Sequence, residues 1–283
     1  MNHTETRYLE AKRSLDDRSR SPRVRERLLS ALPSEPRILD VGCGTGTMVP
    51  GLLEWGIDTG TYRGVDGDAG VIDFARDVRP AELRRAGHGV TVCDRGFSVE
   101  DLSVTYETGD ALGTLERAED VDLIVAQAFA DLVSISELLA GVESALAPGG
   151  LAYLPITFDG GTIFQPDHPV DEEVEAAYHA AIDAEPGRDV HAGRHLADAS
   201  RRADGDLLAM AASDWVLRPR DGIYPADEAY FLDAILGFVQ TALSDGTVAE
   251  GDDWLAARRQ QLADGRLTYI AHQYDLLYRG PDS

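Results

Sequence analysis

The sequence is nearly without lysine: Lys12 is the single one among 26 basic residues, the other 25 being arginine. Cysteine is almost as scarce. Cys43 and Cys93 are too few for a disulfide framework and suit a reducing cytoplasm. No apolar run approaches the roughly 18 residues a membrane-spanning helix needs, so no membrane partner is expected. The opening MNHTETRYLEAKR lacks the apolar stretch of a secretory leader, which makes a cytoplasmic protein the expectation. Repeats and low-complexity tracts are missing too. What the chain has is 283 residues, 43% of them hydrophobic. That supports a sizeable core in one elaborated domain or two small ones and excludes a disordered or collagen-like chain.

Carboxylates dominate the charge. Thirty-two Asp and 18 Glu outweigh the basic residues to give a formal net charge of −24. An acidic, lysine-poor surface resembles the proteins of salt-loving cytoplasms, where carboxylates hold water and keep the surface self-repelling under screening. The same field disfavours phosphate backbones at ordinary salt, so no nucleic-acid partner is expected. Residues 1–30 run the other way, with eight basic and five acidic side chains.

Along the chain, 5–30 reads as helical with a break at Ser21-Pro22. Arg37–Val41 is a buried strand, Thr47–Trp55 a helix, Thr61–Asp66 a strand and Ala69–Ala86 a helix. Gly87–Glu100 has no clear period and leaves a small hairpin open. Leu102–Thr108 alternates as a strand, and the β-branched Val121–Ala126 suits a central one. Ile135–Ala147 is an amphipathic helix stopped by Pro148-Gly149-Gly150, before a strand over Leu151–Thr157. Further strands fall within Leu207–Leu217 and over Leu267–Tyr278. The expected fold is α/β: a doubly wound, mostly parallel sheet of seven strands, the last antiparallel, with helices on both faces. The excursions 158–192 and 221–265 are too long for plain connections and predict a helical cap over the ligand end. The implied organisation is a helical arm over 1–30, a core over 31–157, a cap insertion over 158–192, more core over 193–220, a second insertion over 221–265, and a last strand with tail over 266–283.

Between the first strand and its helix stands Asp40-Val41-Gly42-Cys43-Gly44-Thr45-Gly46. Glycine permits a sharp turn and a close backbone approach, and N–H groups at a helix start favour polar ligand atoms. The spacing is tighter than the G-x-G-x-x-G of dinucleotide folds. On these residues the chain resembles the class I S-adenosylmethionine-dependent methyltransferases, whose first strand ends in D-x-G-x-G-x-G. The resemblance implies that Asp40, Gly42, Cys43, Gly44 and Gly46 wrap the methionine part of S-adenosylmethionine. It also implies that Asp66, beside Gly67, accepts from the ribose hydroxyls, leaving Asp68 to cap a helix. Asp110 and Ala111 would meet the adenine, Gln127 would also bind the cofactor, and Gln127 to Asp131 would lie at the substrate mouth. The run Leu146-Ala147-Pro148-Gly149-Gly150 fits the same pattern. The match is good over 36–157 and architectural elsewhere.

The sulfonium methyl is already electrophilic, so the protein must align a nucleophile and, where needed, remove its proton; no metal is required. Histidine is the usual acceptor near neutrality, and His179, beside Tyr178 on the cap helix, is the preferred base. Asp159, emerging after the fifth strand, is a second candidate, against its reading as an Asp-Gly turn. Tyr8, Lys12 and Arg18 of the arm, with Asp131, are candidates for substrate contact; exposed ion pairing explains the arm equally well. His272 reads as a strand histidine. Trp215, Tyr224 and Trp254 read as core, with an aromatic substrate wall as the alternative. His191 and His195 lack further ligands at zinc spacing. The function expected is methyl transfer from S-adenosylmethionine to a small molecule, leaving S-adenosylhomocysteine. The alternatives are a non-catalytic binder of those nucleosides and an aminopropyltransferase-like enzyme.

Overall fold

β1 (Arg37–Val41) is a strand with four of its five residues buried, the mark of a strand covered on both faces. It runs parallel to β2 (Thr59–Asp66) on one side and β6 (Val121–Val125) on the other. β5 (Asp101–Thr108) lies parallel beyond β2, and β7 (Leu146–Gln165) parallel beyond β6. β10 (Thr268–Arg279) then pairs antiparallel with β7. This is a computed structural model, and it describes residues 6–244 and 246–282. Residues 1–5 of the expected arm, Asp245 and Ser283 lie outside the described residues.

Two helical layers sandwich the sheet. α3 (Pro22–Leu29), α4 (Met48–Glu54) and α5 (Ala69–Arg85) bury Leu28, Leu52 and Ile72 against one face. α6 (Ala111–Leu115), α7 (Ile135–Ala145) and α9 (Ala192–Arg202) bury Leu115, Leu138 and Leu196 against the other. A third core joins α1 (Thr6–Ala11) and α2 (Arg13–Ser19) to α8 (Asp171–Asp183), α10 (Glu228–Ala242) and α11 (Gly251–Ala263). Tyr8, Leu15, Tyr178, Phe231 and Trp254 are buried within it.

The described sheet has ten strands where seven were expected. Two extra strands are the hairpin β3 (Val90–Cys93) and β4 (Gly96–Val99), added antiparallel on the β5 edge. β3 is largely exposed, so no buried face imprints a period on its sequence. A third arises because the expected 207–217 strand divides into β8 (Asp206–Ala212) and β9 (Trp215–Leu217), both pairing with β10. β7 also overrides the expected stop at Thr157: residues 158–165 continue the strand along β10 instead of opening the cap. Pro148-Gly149-Gly150 falls inside β7, and α7 ends at Ala145.

β7 carries a bulge where it matters. Pro155 and Ile156 face only Asp275, between the pairs Leu154↔Leu276 and Thr157↔Tyr274. Ile156 has φ +59°, a strained value for a β-branched residue. The buried Asp275 holds it, its carboxylate accepting from the Ile156 N–H at 3.0 Å and the Ser21 N–H at 2.7 Å. Strain of this kind gathers at ligand sites, and Ile156 lines the cavity described next.

Candidate functional site

The carboxyl ends of β1, β2 and β6 and the bulged middle of β7 open into a cavity of about 520 Å3, within the span usual for small-molecule sites. Its outer floor is the loop after β1. Gly42, Gly44 and Gly46 have φ of +69°, +53° and +76°. At Gly42 a Cβ would lie 2.4 Å from the Phe129 ring, so only glycine lets that ring close over the loop. Asp66, at the end of β2, accepts from the Gly44 N–H and the Asp68 N–H, both at 3.0 Å, which fixes its carboxylate at the cavity wall. Asp68 also caps α5, accepting from Gly70 and Val71. Asp40 is buried beneath the loop, and the Tyr62 hydroxyl donates to it. Burial pushes its carboxyl up to about 7. Burial likewise raises the Cys43 thiol, leaving it unreactive. A small adjoining cavity of about 40 Å3 is lined by Asp40, Gly42, Cys43, Gly44 and Gln127.

The arm roofs this floor. The helical stretch breaks twice, at Lys12 as well as at Arg20-Ser21. Ser21 caps α3 by accepting from the Val24 N–H, and Pro22 takes the first turn. Asp16, buried on α2, is a junction: its carboxylate accepts from Trp215 Nε1 at 2.9 Å and Gln127 Nε2 at 3.1 Å, with Lys12 Nζ at 3.5 Å. Gln127 in turn accepts from Arg20 Nη1 at 3.1 Å. One network therefore ties the arm to the end of β6 and to β9.

The inner half of the cavity is aromatic and aliphatic, with Phe158, Tyr178, Trp215, Ile235 and Tyr269 on its wall. Of the residues singled out from sequence, Tyr8, Lys12, Gly42, Gly44, Asp66, Gly67, Ala111, Gln127 and Asp131 line the main cavity. Asp40 and Cys43 line the small one. Gly46 lies behind the loop against Tyr106. Asp110 turns its carboxylate to its own helix and accepts from the Gly113 N–H at 2.6 Å.

The residues considered for proton transfer lie elsewhere. His179 bonds Thr162 Oγ1 at 2.9 Å and is outside the cavity lining, since α8 presents Tyr178 there instead. Burial lowers its basicity further. Asp159 is buried and occupied by Arg194, whose N–H and Nε donate at 2.8 and 3.0 Å to start α9. Arg18 points away to Glu228 and to the Val216 carbonyl at 3.1 Å. Trp254 is fully buried in the cap core and Tyr224 bonds Leu267, so of those three aromatics Trp215 alone meets the cavity. Arg188, Gln273 and Tyr269 line it without having been anticipated. Arg188 lies in a loop with no motif, and the β10 residues carry only an ordinary strand pattern.

Residues 39–154, from β1 into β7, match a family model described as a methyltransferase domain. Over these residues, less than half of its length, the chain is similar to that family. A protein of Bacillus halodurans C-125 named as a candidate methyltransferase shares the fold, with a TM-score of 0.53 at 14% identity over 90% of this chain and 96% of that one. A S-adenosylmethionine-dependent methyltransferase of Thiobacillus denitrificans, crystallised with S-adenosyl-L-homocysteine, gives 0.49 at 21% identity over 92% of each chain. No curated protein matches the chain. No helix among the described residues is long and apolar enough to cross a membrane.

Proposed function

We propose that the protein transfers the methyl group of S-adenosylmethionine to a small molecule held in the inner half of the cavity. The observation that carries this is one continuous cavity with two unlike halves. Its outer half has the backbone of Gly42 and Gly44 and the carboxylate of Asp66; its inner half is an aromatic chamber under the arm. The outer half fits the nucleoside: Gly44 offers no side chain to the space above it, and each Asp66 oxygen keeps a lone pair beyond the backbone amide it accepts. Asp40 and Gln127, at the small adjoining cavity, suit the methionine ammonium. The donor supplies an activated methyl on a positive sulfur. The chain's residues orient it, exclude water and place the acceptor in line.

Acceptor space is what remains of the 520 Å3, which favours a small molecule over a macromolecule. An aminopropyl acceptor would call for several carboxylates along the inner chamber, where Asp131 stands among aromatic residues. The acidic, lysine-poor composition supports a working environment of high salt.

Calorimetry in molar KCl tests the reading. S-Adenosylmethionine and S-adenosylhomocysteine are expected to bind and NAD not to. Asp66→Ala is expected to weaken nucleoside binding by about 1–3 kcal/mol through lost charge-assisted hydrogen bonds. Unchanged affinity in that variant would remove the ribose assignment, and NAD binding would remove the whole reading.

A further inference from the structure

Three carboxylates line the main cavity: Asp66, Asp68 and Asp131. The first two have structural work, Asp66 on the loop amides and Asp68 on the first turn of α5. Asp131 sits in the 3-10 turn Ala130–Leu132, two residues beyond the Phe129 ring that closes over Gly42. It thus stands where the glycine-loop half meets the aromatic chamber. Among the described residues no side chain or backbone amide of another residue donates a hydrogen bond to its carboxylate, although its backbone carbonyl accepts from the Asp189 N–H at 3.2 Å.

The charged and titratable groups around Asp131 come from three elements. Lys12 and Tyr8 face it from the arm, Tyr178 from α8, and Arg188 with Asp189 from the loop after α8. Both cations are anchored: Lys12 by Asp16 at 3.5 Å and Arg188 by Glu185 at 2.8 Å. The tyrosines are poor bases, because burial raises both hydroxyls above their ordinary value. The nearest walls are apolar and ring-bearing, which suits a flat aromatic guest.

We propose that Asp131 is the general base of the reaction and that the acceptor is a small aromatic alcohol whose ring fills the chamber. This rests on the methyl-transfer reading above. In the step, the acceptor O–H proton passes to an Asp131 carboxylate oxygen. The acceptor oxygen forms a bond to the methyl carbon. The carbon–sulfur bond breaks with its electron pair going to sulfur, which leaves a neutral thioether and an aryl methyl ether. Lys12 and Arg188 favour the oxygen as it turns anionic. Burial raises the Asp131 carboxyl, and the two cations pull against that rise; a raised value brings it closer to the working pH, as a base requires.

The probe is 2-naphthol, assayed with S-adenosylmethionine by mass spectrometry of the methyl ether. S-Adenosylhomocysteine affinity is measured on the same preparations. The wild-type protein is expected to form the ether, with kcat rising with pH as Asp131 loses its proton. Asp131→Asn keeps the shape but cannot take the proton. It is expected to lose about 100-fold or more in kcat, with its acid limb abolished and S-adenosylhomocysteine affinity held within twofold. Asp131→Glu is expected to recover part of the rate. Absence of the ether from the wild-type protein, or an Asn variant within threefold of it, overturns the proposal while nucleoside binding stands. Loss of nucleoside binding by the wild-type protein overturns the methyl-transfer reading itself.

Discussion

Asp40 shows how far one residue can be read. Its place ahead of the glycine loop was legible from the motif, but its burial and its bond from Tyr62 were not, since Tyr62 lies on a neighbouring strand. Burial, aided by the charge of Asp66 and opposed by Tyr62 and Arg20, lifts its carboxyl from 3.8 to about 7. The folded protein therefore holds this proton more tightly than the unfolded chain. The stabilising contribution is complete below about pH 4 and is lost as the pH climbs through about 7. At about 1.4 kcal/mol per pK unit the loss is at most about 4 kcal/mol. Asp17, Asp131 and Asp275 are raised too, again mainly by burial, and slope the same way. Urea unfolding between pH 5 and 8 is expected to show stability falling, with a shallower fall in Asp40→Asn; equal slopes would place the titration elsewhere. Asp110 and Arg18 mark the opposite limit. An Asp after a strand suits a ligand or a helix cap equally, and the structure has it capping α6. Arg18 found Glu228, 210 positions away, a partner no local pattern could announce.

At the scale of elements, the parallel strands β1 and β6 were legible because a strand covered on both faces must be apolar nearly throughout, and β5 because its apolar residues alternate. The far half of β7 was not, because Asp159, Gly160 and Gly161 read as a turn; in the fold Asp159 and Gly160, the latter at φ +69°, bulge out between the pairs Phe158↔Gln273 and Gly161↔His272, and the strand resumes along β10. The arm was legible as helix but not as roof. It is fastened by Ser14 Oγ, donating at 2.9 Å to the fully buried Glu228, by Arg18 on the same carboxylate, and by Asp16 beneath Trp215. Removing Arg18 leaves Glu228 buried with Ser14 as its remaining donor, and an unpaired buried charge costs about 3–5 kcal/mol. Arg18 is itself over a third exposed, so water can reach the vacated space and the expected loss shrinks to about 1–3 kcal/mol. Arg18→Ala should therefore unfold at lower urea and expose the arm to faster proteolytic cleavage around residues 12–20. Equal cleavage rates would mean that apolar packing of Tyr8 and Leu15 alone holds the arm.

At the scale of the whole molecule, the charge imbalance was plain from composition, while its spatial use was not. The arm lies on the body through Arg13 with Glu82 and Arg18 with Glu228, arm cations on body carboxylates, and through Glu10 with Arg79, where the polarity is reversed. Salt then acts in two directions: it weakens exposed pairs and relieves the self-repulsion of a chain with net charge −24. Exposed pairs are worth about 0–1 kcal/mol each. Arg79 and Glu228 are fully buried, so their pairs are the least screened. Repulsion, in contrast, sums over every uncompensated carboxylate on the surface. Relief should win. The melting temperature is expected to rise from 0.1 to 1 M KCl, where the screening length falls from about 10 to 3 Å, and to flatten beyond. Thermal melts followed by circular dichroism across that range check this. A fall with KCl would mean that the arm's ion pairs, rather than the body's excess of carboxylates, set the balance.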